Sequence, residues 1–174
     1  MNTIVKLGKM TIVGITTQSE NKKGKIIDDI ETLKERFIFE EISAKIPNKT
    51  SNNVILLFSD YENGALGKFS LTLGHRVFST KNIPKELTIR KVPSLYYKTF
   101  TSDKRDDSSF QKWMKLMQKP KQNNLNFKVN FDLYWDGLDS LESSLVENYA
   151  SVDVGESLFE KFTKVKQTFF FLKE

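Results

Sequence analysis

The sequence lacks several residues and motifs on which common chemistries depend. Its 174 residues include no cysteine, which excludes disulfides, thiolate metal sites and a cysteine nucleophile. The single histidine, His75, follows Gly74 in a predicted strand, and no serine–aspartate grouping or metal-ligand spacing surrounds it. The glycines form neither a GxxxxGK[ST] nor a GxGxxG motif, and HExxH is absent. Nothing in the residues demands catalysis. We therefore expect neither a cofactor nor a metal ion, and we assign no catalytic residue.

Long apolar runs are also missing, and the start of the chain has no apolar stretch of the kind that a signal peptide needs. We therefore expect a soluble, cytoplasmic protein that does not enter the membrane. The net charge of +5 comes from 27 basic and 22 acidic residues that are mixed along the chain. Nucleic-acid binders usually concentrate basic residues in a stripe or arm, so we expect no direct contact with nucleic acid.

Aromatic residues are abundant by comparison. The chain has 14 Phe, 5 Tyr and 2 Trp, more than a plain core of this size requires. The aromatic content is therefore more informative than the charge.

One order of secondary structure is predicted twice. In the first half, residues 4–7 and 10–17 have strand-like composition, and a helix over about 25–45 is followed by strands over 53–61 and 68–78. In the second half, a strand over 87–100 precedes a helix that begins with a capping box at Ser108 and Gln111. Strands over 126–135 and about 148–156 follow. The fold class is therefore α+β, with two pseudo-symmetric βαββ repeats, an antiparallel sheet and both helices on one face.

The helix of the second half carries an apolar stripe with i, i+3, i+4, i+7 spacing, formed by Phe110, Trp113, Met114 and Met117. For Trp113, a place in the core is the favoured interpretation of this stripe, and a place in a binding pocket is the alternative.

Residues 126–135 alternate in character along the predicted strand. Side chains alternate between the two faces of a strand, so two sets of residues are predicted. We expect the apolar set to pack on the helices and the polar set to lie on the opposite, open face. The apolar set is Phe127, Val129, Phe131, Leu133 and Trp135, and the polar set is Lys128, Asn130, Asp132 and Tyr134.

A series of short motifs resembles the GyrI-like family, also called the AraC-type or bacterial transcription activator effector-binding domain. The segment from Ser59 to Gly64 and the stretch from Gly67 to Val77 match its dYe…g.Y…iG..V pattern. Further matches follow in order: Ile83-Pro84, Val92-Pro93, Tyr97 with Phe100, Trp113, and Phe131-Asp132-Leu133-Tyr134. The similarity covers roughly residues 3–155.

The resemblance implies a cleft between the two halves that binds amphipathic or aromatic ligands, often cationic, against an acidic residue. Asp132 matches the position of that acid. The matching aromatic residues are Tyr134, Tyr61, Tyr97, Phe69 and Trp113. The family usually has Glu at the acid, so the carboxylate of Asp132 stands back by ~1.5 Å. Phe69 replaces the usual Tyr and lacks its hydroxyl.

The resemblance implies a domain over about 1–156, with halves of about 1–80 and 81–156. It does not extend to residues 157–174. There the spacing of Leu158, Phe162 and Val165 predicts a helix, and Phe169 to Leu172 a strand. We interpret this extension as a packing or dimerisation element.

Three functions remain open at this point. The first is a stand-alone small-molecule-binding protein, acting as an effector sensor through a separate regulator chain or as a drug-sequestering protein. The second, implied by the resemblance, is a hydrolase of reactive cyclopropane-type molecules that uses the cleft acid. The third, also implied by it, is inhibition of a topoisomerase by direct contact. Each is compatible with a monomer or a homodimer.

Overall fold

The computed structural model describes residues 3–22, 24–103, 108–139 and 144–155. The predicted extension over 157–174 lies outside the described residues. In chain order, the elements are β1 (Thr3–Leu7), β2 (Met10–Glu20), α1 (Lys25–Phe39), α2 (Ile42–Lys45), β3 (Val54–Ser59), β4 (Lys68–Val77), β5 (Thr88–Val92), β6 (Leu95–Asp103), α3 (Ser108–Gln118), β7 (Asn130–Tyr134) and β8 (Leu145–Val152).

The strands form one antiparallel sheet in which the two halves of the chain are related by symmetry. The order is β1-β6-β8-β7-β3-β4-β2-β5. The pairing of β3 with β7 joins the halves at the centre. The short strand that begins each half crosses over, because β1 pairs with β6 and β5 pairs with β2. The predicted α+β fold with two βαββ repeats is confirmed.

The sheet curves strongly. Five strands separate β1 from β2 in the sheet, yet only Gly8 and Lys9 join them in the chain. The sheet must therefore bend until its two ends approach each other. Residues from both ends meet in one buried group, which we call the inner core: Val5, Leu7, Met10, Ile12, Ile55, Leu57, Val92, Tyr97, Val129, Phe131, Leu133 and Tyr149.

The prediction of which face of β7 meets the helices was wrong, because the sheet is curved. Phe131 and Leu133 were expected to pack on the helices, but both lie in the inner core. Asp132 and Tyr134, expected on an open face, point instead to the side that carries α1 and α3. The alternation itself is present. One strand cannot indicate which of its faces meets the helices when the other face is covered by the curved sheet itself.

Two predicted elements are interrupted. The helix expected over 25–45 is divided between α1 and α2, because Glu41 adopts a left-handed conformation with φ 51°. The strand expected over 87–100 is divided between β5 and β6 at Pro93, which has no N–H for the ladder. Ser94 then donates a hydrogen bond of 2.8 Å to the carbonyl of Leu7, which ties this junction to the end of β1.

His75 is a structural residue. It is 1% exposed, and Nδ1 donates to the carbonyl of Asn53 at 2.8 Å. Nε2 therefore accepts the hydrogen bond of 2.7 Å from the Ser43 hydroxyl. Burial lowers the pKa of His75 to about 4, which keeps the ring neutral in this arrangement.

A pair of glycines lets β2 and β4 approach closely. Gly14 and Gly74 face each other in the ladder. A Cβ at Gly74 would lie 2.0 Å from the carbonyl oxygen of Val13, and one at Gly14 would lie 2.0 Å from that of Leu73. Both contacts are with backbone atoms that cannot move aside. The glycine of the iG..V motif is therefore required by packing.

We predict that Gly74→Ala lowers the free energy of unfolding by at least ~2 kcal/mol, since the added methyl group forces the strands apart. Urea unfolding followed by circular dichroism measures the change. Gly8→Ala is the matched control, because a Cβ there has no heavy atom within 4 Å. Equal stability of the two variants would contradict the explanation.

Candidate functional site

A cleft lies between α1, α3 and the outer face of the sheet, where the two halves of the chain meet. Its cavity has a volume of about 240 Å³. The floor comes from β3, β4, β7 and β8, and the helices form two walls. The lining residues are Asn21, Ile26, Ile27, Ile30, Glu31, Lys34, Leu56, Phe58, Tyr61, Phe69, Asp103, Ser109, Phe110, Trp113, Met114, Met117, Asn130, Asp132, Tyr134 and Val146.

The α3 wall is the apolar stripe predicted from the sequence. Phe110, Trp113, Met114 and Met117 all line the cavity. Among residues 109–118, only Leu116 is buried. The Trp113 ring packs between Phe58 and Phe100, with centroids 5.9 and 5.3 Å away. The stripe thus borders a cavity, and Trp113 lines that cavity, whereas a place in the core was the favoured prediction.

The α1 wall combines apolar and charged side chains. Ile26, Ile27 and Ile30 line the cavity near the start of the helix, and Glu31 and Lys34 follow along it. Leu33 and Phe37 lie on the neighbouring stripe and anchor the helix on the sheet. The cavity-lining residues of α1 have i, i+3, i+4 spacing, which places them along one side of the helix.

Asp132 lies on the floor of the cleft and is only 4% exposed. Its Oδ1 accepts hydrogen bonds from Trp113 Nε1 at 3.0 Å and from Asn148 Nδ2 at 2.6 Å. Ser109 Oγ lies 3.5 Å from Oδ2 and donates a long hydrogen bond to it. Ser102 donates to the amide oxygen of Asn148 at 2.8 Å, which orients that amide toward the carboxylate.

Burial raises the pKa of the Asp132 carboxyl to about 6, while the hydrogen bonds from Asn148 and Trp113 and the charge of Lys34 oppose that rise. No lysine or arginine in the described part of the chain forms an ion pair with this carboxylate. Arg90 forms its ion pair with Asp60, at 3.0 Å. Asp132 is thus a buried acid whose hydrogen bonds come from neutral donors.

Three more of the aromatic residues predicted for the site, Tyr61, Phe69 and Tyr134, line the same cavity as Asp132. Tyr61 accepts a hydrogen bond of 2.7 Å from Asn130 Nδ2, and its ring centroid is 5.4 Å from that of Phe69. Burial raises the pKa of the Tyr61 phenol, which stays neutral. Tyr134 lies two residues beyond Asp132 on the same face of β7 and is 6% exposed. With Trp113, the cleft brings together five of the six predicted residues.

Tyr97 is the exception. It is fully buried in the inner core, with ring centroids of Phe131 and Tyr149 at 5.3 and 6.0 Å. It therefore lies on the opposite face of the sheet from the cleft. The alternation of side chains along β6 directs Tyr97 into the inner core, away from the cleft.

Four polar residues of the site were not singled out from the sequence. Asn130 shares a face with Asp132 by the period of two, which could have indicated it. Lys34 lies four residues after Ile30 on the cleft-lining side of α1. Ser109 and Asn148 had no local signal, since their roles depend on contacts between α3, β7 and β8.

No group of three or more His, Asp or Glu side chains in the described ranges could hold a metal ion. None of the helices described is both long and apolar enough to cross a bilayer.

Comparisons with known proteins agree with this architecture. SAV2435, solved bound to tetraphenylphosphonium, is 20% identical, with a TM-score of 0.71 over 88% of this chain and 94% of its own. The integron cassette protein VCH_CASS2 of Vibrio cholerae is 18% identical, with a TM-score of 0.60 over 87% and 95%. EcmrR in its complex with DNA is 12% identical, with a TM-score of 0.60 over 88% of this chain and 58% of that one. At these identities the likeness shows the fold alone.

A comparison with curated proteins finds no match. The sequence does match the family of integron-associated effector binding proteins, Cass2, over residues 3–153. The resemblance to GyrI-like effector-binding domains is thereby confirmed, and the chain belongs to the Cass2 family of integron-associated effector binding proteins.

Proposed function

We propose that this protein reversibly binds small amphipathic, aromatic cations in its cleft, as an effector sensor or a drug-sequestering protein. The observation that carries the proposal is Asp132, a carboxylate that is 4% exposed and has no ion-pair partner among the described residues. It lies in a cavity bordered by Trp113, Tyr134 and Tyr61.

The physical argument concerns the cost of the buried charge. A carboxylate removed from water loses solvation energy, which only a nearby cation or strong donors can offset. The neutral donors Trp113 and Asn148 both bind Oδ1, and Oδ2 accepts the long contact of 3.5 Å from Ser109, so Oδ2 keeps capacity for a ligand. A cation placed there would gain both the charge interaction and attraction to the faces of the surrounding aromatic rings.

The relatives support the same class of ligand. SAV2435 has been solved with tetraphenylphosphonium, a permanent cation that carries four aromatic rings.

EcmrR has been solved bound to DNA, and this chain corresponds to 58% of it. The proposal includes association with a DNA-binding regulator as the route to an effect on transcription.

Catalysis is the second candidate, because a carboxyl with a pKa of about 6 is suited to general acid–base chemistry near neutral pH. The described residues that donate to Asp132 are amide, indole and hydroxyl groups, and the contact from the Ser109 hydroxyl to the carboxylate is long, at 3.5 Å, which makes the two a poor nucleophile–base pair. Binding without turnover is therefore favoured. Loss of a reactive ligand with substoichiometric protein would reverse this preference.

We predict that Asp132→Asn weakens binding of tetraphenylphosphonium at least tenfold, which corresponds to ~1.4 kcal/mol. Asparagine keeps an oxygen for Trp113 and Asn148 but removes the charge. Isothermal titration calorimetry at pH 7.5 measures the affinity. Asp28→Asn is the matched control, since Asp28 is exposed on α1 and does not line the cavity. Equal affinity of the two variants would rule out the carboxylate as the cation site.

We also predict that the native protein binds tetraphenylphosphonium about tenfold more weakly at pH 5 than at pH 7.5. The ligand does not titrate, whereas the Asp132 carboxyl, with a pKa of about 6, is mostly protonated at pH 5. Titrations across this range should show the dependence in the native protein and not in Asp132→Asn. A dependence of equal size in both would assign it to another group.

The same substitution should stabilise the ligand-free protein at high pH. The folded-state pKa of Asp132 lies above its ordinary value, so its contribution to stability is fully present at low pH and is lost as pH rises through about 6. The asparagine of the variant has no charge to bury. Melting curves should show a higher Tm for Asp132→Asn at pH 8, by the equivalent of ~2–3 kcal/mol, and nearly equal values at pH 4. A lower Tm at pH 8 would contradict this account.

A further inference from the structure

The cleft also contains a positive charge, Lys34 on α1. Its Nζ lies 5.4 Å from the centroid of the Tyr134 ring, within the range of a cation–π contact. Tyr134 is the neighbour of Asp132 on the same face of β7, two residues along the strand. An ammonium of the chain itself therefore already occupies part of the aromatic surface that a ligand cation would use.

Lys34 is held in this position by Glu31. The two side chains form an ion pair of 3.0 Å across one turn of α1, and both line the cavity. An ammonium has three N–H donors. Among the described residues, one oxygen of Glu31 and the ring of Tyr134 are its partners. Since the Lys34 side chain is 25% exposed, an acceptor entering the cleft can reach the remaining donors.

We infer that Lys34 determines the ligand charge that the cleft prefers, selecting aromatic zwitterions, with a cationic centre at Asp132 and a carboxylate at Lys34, over plain cations. The inference rests on the proposed function and refines its ligand class. It follows from two opposite charges, Asp132 and Lys34, that line one cavity together with the ring of Tyr134.

The physical reason is that a plain cation meets repulsion as well as attraction in this cleft. It gains from Asp132 but lies near the ammonium of Lys34, and a cavity shielded from water strengthens both effects. A ligand carboxylate turns the repulsion into a charge-assisted hydrogen bond. Removing Lys34 should therefore have opposite effects on the two ligand classes.

Two dyes with one ring system test the inference. Rhodamine 110 is a zwitterion at pH 7.5, and rhodamine 123 is its methyl ester, a plain cation. Fluorescence anisotropy should show that the native chain binds rhodamine 110 about tenfold more tightly than rhodamine 123. Lys34→Met should weaken rhodamine 110 about tenfold, tighten rhodamine 123, and so remove or invert the preference. Lys34→Arg, which keeps the charge, should retain the preference and shows that the effect is not one of folding.

Lys25→Met is the matched control, because Lys25 forms a comparable ion pair with Asp29 on the same helix but does not line the cavity. An unchanged dye preference in Lys34→Met, or the same change in Lys25→Met, would overturn the inference about Lys34. The proposed function would still stand if binding of rhodamine 123 depended on Asp132. If the native chain binds neither dye nor tetraphenylphosphonium, the proposed function fails, and the inference fails with it.

Discussion

The burial of the Asp132 carboxylate is the constraint on which the rest of the site depends. The donors to this carboxylate come from two elements: Trp113 and Ser109 from α3, and Asn148 from β8. The donors are neutral, so they reduce the cost of the charge without cancelling it. This arrangement leaves an attraction for a cation that the protein does not satisfy with an ion pair inside its described part. An ion pair between Asp132 and a lysine of the chain would neutralise the buried charge, but the carboxylate would then no longer attract a cationic ligand.

The curved sheet makes such a site possible. Exchange of β1 and β5 between the halves bends the sheet until its concave face closes on the inner core. The inner core contains no residue of a helix. On the other face, Leu33 and Phe37 anchor α1 in a second buried cluster, while the cavity lies between α1 and α3. The weak burial of α3, where Leu116 is the one buried residue of 109–118, follows from the same division of roles.

The walls of the cleft differ in chemistry. The α3 side presents Phe110, Trp113 and two methionines, whose flexible side chains adapt to ligands of different shape. The α1 side adds the Glu31–Lys34 pair. The two walls therefore differ, with adaptable apolar side chains on the α3 side and a charged pair on the α1 side. Gly14 and Gly74 pair where β2 and β4 approach closely, in the half of the sheet that carries α1.

The sequence by itself determined the repeated βαββ order, the α3 stripe and the acid on β7, because periodicity and short motifs are local properties of the chain. It also indicated Tyr61, Phe69, Tyr134 and Trp113 as companions of Asp132, which the cleft brings together. Only the tertiary structure decided which face of β7 meets the helices, since both faces are buried and alternation alone cannot rank them. It likewise placed Tyr97 in the inner core and Asn148 beside the carboxylate. Those positions depend on the curvature of the sheet and on pairings between strands distant in sequence, which no local pattern records.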